Sequence, residues 1–262
     1  MLSTDEMHAF ARDGYLGPFE LPAPQREHWL QPERLKQVHQ VLHGGTLTKE
    51  QERNQHLYSA SLVGLATAPP ILDHVRTMLG DNVLLWVAHI LSRVPGSGGQ
   101  AWHSDAINQY IRGIHASIAL TDMTLDNGCL SFVPGSHLYR TSLWAYEQSK
   151  GLDRRDADSI LRLADESAPW NAPHSIRNME LRAGQYFYTW GGLWHGVGKN
   201  RTQRPRMACV ARYCRPDFQC RDYGFRDDRI VAGDLQPCLL IHGQDEFRLN
   251  EIKPAPSDDI FS

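Results

Sequence analysis

Val83-Leu84-Leu85-Trp86-Val87-Ala88-His89-Ile90-Leu91-Ser92-Arg93-Val94 is the stretch at which the chain changes texture. It is rich in β-branched and aromatic residues, enters from Gly80-Asp81-Asn82 and leaves through Pro95-Gly96, so it reads as a strand between two turns. Its unbroken apolar part stops at His89, far short of a membrane span. Four further runs of the same kind follow: Ile114–Thr121, Leu130–Val133, Gln185–Trp190 and Met207–Tyr213. Upstream the pattern is helical. Ser3 or Thr4 caps a helix through Phe10 that Asp13-Gly14 ends. Pro32 to His43 carries Leu35, Val38 and Leu42 at helical spacing before Gly44-Gly45, and Pro69-Pro70 opens a third helix that stops at Gly80. Helices followed by strands without βαβ alternation predict an α+β chain with a mainly β core, an antiparallel sandwich or barrel.

The 262 residues fit one domain, with no repeat and no Gly/Ser linker. Three parts are expected: a helical part over 1–82, the β core over 83–215, and a C-terminal wrap of loops and short elements over 216–262. A polar insertion at about 141–176, with a short helix near Asp156–Ala164, is too long for a hairpin loop and suits a cover over a site. Lys and Arg number 27 against 30 Asp and Glu, a net charge of -3, which argues against a surface made to hold nucleic acid or anionic lipid. An apolar share of 41% is enough for a packed core. The opening residues lack the basic and then apolar pattern of a signal peptide, and five Cys without a CxxC pair fit reduced thiols, so a cytoplasmic protein is expected.

Thirteen histidines are the unusual feature. In Trp102-His103-Ser104-Asp105, His103 and Asp105 are two apart; on an extended segment both point to one face and can share a metal ion. His195, after the run Gln185–Trp190, offers a second imidazole. Two His and one carboxylate on one face of a metal leave the other face open, which suits non-haem Fe(II). From His195 the chain runs through a polar turn to Arg206, which adjoins the apolar run Met207–Tyr213. Arg206 is therefore read as the inward residue of a hairpin and Lys199, Arg201 and Arg204 as a solvated turn; a buried guanidinium needs an anion, and its planar fork matches a carboxylate. Asp126-Asn127-Gly128-Cys129 reads as a tight turn into a strand that Pro134-Gly135 ends, with His137 as a structural hydrogen-bonding residue.

These segments in order, WHSD, DNGCLSFVPGSH and HGVGKNRTQRPR, with FARDGYL near the start, resemble the phytanoyl-CoA dioxygenase family of Fe(II)/2-oxoglutarate-dependent oxygenases over nearly the whole chain. The resemblance implies a double-stranded β-helix, a jelly-roll or cupin-like barrel with N-terminal and flanking helices. It implies Fe(II) held by His103, Asp105 and His195, and Arg206, eleven residues after His195, paired with the distal carboxylate of 2-oxoglutarate. Many members carry a Ser two residues after the second metal His. Val197 stands there in this chain, so Thr121 or Ser92 is expected to supply the missing donor.

The implied activity is oxidation, by default hydroxylation, of an unactivated C–H of a small organic molecule with O2, giving succinate and CO2, in a setting such as secondary metabolism. Related carrier-dependent halogenases replace the carboxylate of the first motif, and Asp105 disfavours that outcome. A cupin-like metal enzyme that does not use 2-oxoglutarate is the rival reading; it has no need of a buried Arg206. A barrel that only binds a ligand would have no need of three metal ligands. Substrate contacts are expected from His89, Asn108, Tyr110 and, less directly, Tyr58, while Trp102 and Trp194 should point away from the metal and pack. A small-molecule substrate is expected as a partner, and neither nucleic acid nor a membrane.

Overall fold

A computed structural model describes residues 1–105, 113–139, 143–168, 174–226 and 229–262. The N-terminal part holds α1 (Thr4–Asp13), β1 (Tyr15–Glu20), α2 (Ala23–Trp29), α3 (Pro32–His43), α4 (Lys49–Arg53), α5 (Ala60–Ala66) and α6 (Pro69–Leu79). Then come β2 (Val83–Arg93), β3 (Gln100–His103), β4 (Gly113–Ala119) and β5 (Leu130–Phe132). The insertion carries α7 (Leu143–Lys150) and α8 (Ala157–Ser167), and after it run β6 (Arg177–Met179), β7 (Gln185–Trp190), β8 (His195–Val197) and β9 (Arg206–Cys214). The chain ends with β10 (Arg221–Arg226), β11 (Arg229–Leu235) and β12 (Leu239–His242).

Two antiparallel sheets face each other as in a double-stranded β-helix. The major sheet has the order β1-β7-β4-β9-β2-β12 and the minor sheet the order β3-β8-β5-β6. The period-two alternation of the central strands assigns each face of the major sheet. On β9, Met207, Cys209, Ala211 and Tyr213 join the core under the helices. The alternate residues Arg206, Ala208, Val210 and Arg212 line the cleft between the sheets. On β4, Ile114, Ala116 and Ile118 go to the core, and His115 and Ser117 to the cleft. On β2 the cleft residues are His89, Leu91 and Arg93.

The helices seal the outer face. Ile71 and Val75 of α6 and Leu62 and Leu65 of α5 are buried against the sheet, and the hydroxyls of Tyr188 and Tyr213 donate to the carbonyls of Ile71 and Ala66. Side-chain caps open several of the helices. Ser3 and Glu6 form a reciprocal box at the start of α1, and Gly14, at φ 78°, closes it with its N–H bonded to the carbonyl of Phe10. Asp156 caps α8, and the insertion helices bury Leu143, Ile160 and Leu163 against Trp102 and Trp194, so both tryptophans pack on the outside of the site.

One stretch departs from the sequence reading. The first eighty residues are not wholly helical, since Tyr15–Glu20 is an edge strand on β7; Pro18 hid it, but a residue without an N–H is tolerated at a sheet edge. The short elements of the tail are strands: β10 and β11 form a hairpin, and β12 pairs with β2 at the other edge of the major sheet. Among the described residues no helix is long and apolar enough to cross a membrane, and all five cysteines are free and buried.

Candidate active site

β3 and β8 are neighbours in the minor sheet, and His103 stands opposite His195 in their register. Their rings lie 4.2 Å apart between centroids. Asp105, just beyond β3, completes the group: its Oδ1 is 3.6 Å from His103 Nε2 and its Oδ2 is 3.7 Å from His195 Nε2. The three residues form a cluster able to hold a metal ion.

Hydrogen bonding to the other ring nitrogens fits that use. His103 Nδ1–H donates to the carbonyl of Ala101 and His195 Nδ1–H to that of Leu193, each at 2.8 Å, which leaves both Nε2 lone pairs turned toward Asp105. The Gln100 side-chain amide lies 3.0 Å from His103 Nε2 and can donate to it.

The carboxylate is held from the far side by residues that the sequence reading missed. His115 Nδ1 lies 3.2 Å and Arg212 Nη2 3.3 Å from Asp105 Oδ2. Burial by itself would raise the Asp105 pKa, but the Arg212 charge and the His115 hydrogen bond outweigh it and hold the group well below the usual carboxylate range. Gly191 leaves room for His115, since a Cβ there would come within 3.3 Å of Nε2. The signal that could have found them is strand parity. Arg212 shares the inward row of Arg206, and His115 stands opposite it in the β4–β9 register.

Arg206 is 3% exposed. Its Nη2 donates to the carbonyl of Gly128 at 2.6 Å, whereas its Nε is buried with no partner among the described residues. Arg93 is its cross-strand neighbour and also faces the cleft. Burial first, and then the Arg93 charge, pushes the Arg206 pKa down to about 10. Two guanidiniums side by side around an orphaned donor make a receptor for an anion.

The cleft opens to solvent and is lined by all three metal-ligand candidates together with Arg206, Val197 and His89. Other expected contacts lie elsewhere. Ser92 has the opposite parity to Arg93 and hydrogen-bonds His39 of α3, 3.0 Å away on the helix side of the sheet. Thr121, past the end of β4, accepts the Met207 amide at 2.9 Å and does not line the cleft. Tyr58 donates to Glu50 near the surface at 2.8 Å, also away from the cleft. Asn108 and Tyr110 lie outside the described residues. His137 hydrogen-bonds the carbonyl of Ala11 at 3.1 Å and braces the end of α1.

Burial disfavours the charged form of His56, His89 and His103. It pushes His89 down to about 3, and His56 and His103 down to about 4; behind burial, the Arg212 charge adds at His89 and the His195 charge at His103. All three fall below the ordinary value of 6.5, so between about 6.5 and 4 the unfolded chain binds more protons than the folded one. The stability of the metal-free protein is therefore expected to fall as pH drops through that window. Urea midpoints across it check this, and a flat profile would contradict it.

Comparison with known proteins agrees with the geometry. The family model for phytanoyl-CoA dioxygenase (PhyH) matches residues 10–208. A methylphosphonate hydroxylase of Gimesia maris is 28% identical over 60% of this chain and 55% of its own length. An ectoine dioxygenase of Nocardia farcinica is 28% identical over 78% of this chain and 74% of its own. Among solved structures, the non-heme monooxygenase ThoJ superposes with a TM-score of 0.69 at 22% identity, covering 97% of this chain and 90% of that one. EctD from S. alaskensis with 2-oxoglutarate and 5-hydroxyectoine gives 0.67 at 21% identity over 97% and 88%. Shared by the family match and the convergence of two histidines, a carboxylate and a buried arginine in one cleft, the conclusion is that this chain belongs to the phytanoyl-CoA dioxygenase family of Fe(II)- and 2-oxoglutarate-dependent oxygenases.

Proposed function

We propose that this protein hydroxylates an unactivated C–H of a small organic molecule, coupled to conversion of 2-oxoglutarate and O2 to succinate and CO2. The observation that carries the reading is one cleft holding both halves of the machinery: the His103, Asp105 and His195 cluster and the buried, anion-seeking Arg206. His103, Asp105 and His195 would hold Fe(II). Arg206, with Arg93 beside it, would take the distal carboxylate, so that a second guanidinium replaces the hydroxyl that Val197 lacks. When bound, the iron and its cosubstrate supply oxidative decarboxylation and an oxidant strong enough to attack a C–H bond.

The protein's own part is geometric. Carbonyl acceptors fix both imidazole tautomers, and His115 and Arg212 orient the carboxylate. Trp102 and Trp194 with the insertion helices close the back of the site to water. His89 is a wall residue for the substrate. The named substrates of two relatives, methylphosphonate and ectoine, support a small polar substrate, and five buried free thiols support a cytoplasmic setting. Secondary metabolism is the role we favour.

Anaerobic addition of Fe(II) and then 2-oxoglutarate is expected to produce a weak visible metal-to-ligand charge-transfer band. Absence of the band at saturating cosubstrate would overturn the reading in favour of a metal enzyme that does not use 2-oxoglutarate.

A further inference from the structure

We propose that the substrate carries an anionic oxygen group, a carboxylate or a phosphonate, and that Arg212 receives it. The inference rests on iron and 2-oxoglutarate occupying the cleft as described above. Among the described lining residues the fixed charges are Arg93, Arg206 and Arg212 against Asp105 alone. With divalent iron and dianionic 2-oxoglutarate bound, the cleft would hold five positive charges against three negative ones. Asp105 and the near carboxylate would offset the metal, and Arg206 and Arg93 would share the distal carboxylate. Arg212 is then left over, because the carboxylate it contacts at 3.3 Å has given its charge to the metal. A partly buried guanidinium beside a cationic centre needs another anion.

Its placement suits that task. Arg206 and Arg212 begin and end the inward row of β9, about 20 Å apart along the strand at the usual rise, so the two bind different anions. The Arg212 guanidinium lies over the Trp86 ring, 5.4 Å from its centroid, which fixes the plane of the fork. Its Nε is buried and has no partner among the described residues, so donors remain to be used. His115 and Thr189 stand opposite each other on β4 and β7, and with His89 they line the same region with polar groups that can complete an oxyanion site. The competing role is that Arg212 only steadies Asp105. In that case its loss would loosen the metal and leave anion binding by the loaded enzyme undiminished.

The test uses the anaerobic enzyme loaded with Fe(II) and 2-oxoglutarate, titrated with propionate, ethylphosphonate and uncharged propionamide while the charge-transfer band is followed. The wild type is expected to shift its band with one or both anions and not with the amide; the better anion tells carboxylate from phosphonate. Arg212→Met should weaken anion binding at least about tenfold more than it weakens the binding of iron or 2-oxoglutarate, and Arg212→Lys should fall between. The proposal fails if neither anion shifts the wild-type band, if the amide binds as well as the anions, or if Arg212→Met binds them like wild type. It fails equally if Arg212→Met loses iron in step with the anion. Loss of the band in the wild type itself would instead remove the assignment of the cosubstrate, so the two failures are distinct.

Discussion

An Asp105→Ala variant is expected to bind Fe(II) roughly a hundred- to a thousandfold more weakly and to lose measurable turnover. The estimate follows from breaking a buried charge set, which costs about 3–5 kcal/mol when one partner is removed. Asp105 is the common partner of four groups: His103, His195, His115 and Arg212 all lie within 4 Å of its oxygens. Without it the two imidazoles keep their orientation, because carbonyls of Ala101 and Leu193 hold them, but the only anion among the described groups of the cleft is gone.

The same variant should be less stable without metal. A carboxylate held below its unfolded pKa stabilises the fold above that value, and the contribution is lost as pH falls through the folded pKa. At neutral pH, Asp105→Ala removes all of it. Titration with Co(II) under argon and a urea midpoint measure the two effects. Retention of wild-type metal affinity would mean that Asp105 is not a ligand.

What was legible in the sequence follows from the range over which each signal acts. His103 and Asp105 could be paired because two-residue spacing on an extended segment is a local property of the backbone. Arg206 could be placed because it adjoins a long apolar strand, although the expected hairpin with the run before it does not form: β9 pairs with β4 and β2, and β8 lies in the minor sheet. Arg212 sits on the same inward row six residues further on. It passed unnoticed because its significance comes from its position beside His115, and that depends on the register of two strands nearly a hundred residues apart. Ser92 was misplaced because the choice of a substitute hydroxyl ignored strand parity: it lies three residues from His89, which faces the cleft, so the two cannot share a face. Arg93, not Ser92, faces the cleft. The N-terminal helices were readable where caps and stops were strong, as at Ser3, Pro32 and Pro69. The short α2, α4 and α5 carry too few periodic residues to stand out.

Replacing Arg206 by Met should separate the cosubstrate from the metal more sharply than any other single change. Affinity for 2-oxoglutarate is expected to fall at least about a hundredfold, the loss of one charge-assisted, fork-to-carboxylate contact out of water at about 3 kcal/mol, while Fe(II) affinity is unchanged. The sign of the stability effect makes the prediction specific. Without an anion, Arg206 is a buried cation beside Arg93, with its Nε unpartnered among the described residues and a pKa pushed down to about 10, so its charge works against the fold. Arg206→Met keeps the side-chain volume and removes that charge, so the protein without cosubstrate should melt no lower than wild type. Saturating 2-oxoglutarate should raise the melting temperature of wild type and not that of the variant. Arg206→Lys keeps a charge but loses the planar fork, and belongs nearer to Met than to wild type. A variant that loses metal and cosubstrate together would place Arg206 in the scaffold of the site. One that loses only the cosubstrate, at no cost in melting temperature, marks a residue whose buried charge is kept for its ligand, because an arginine retained for stability would not improve the fold by leaving it.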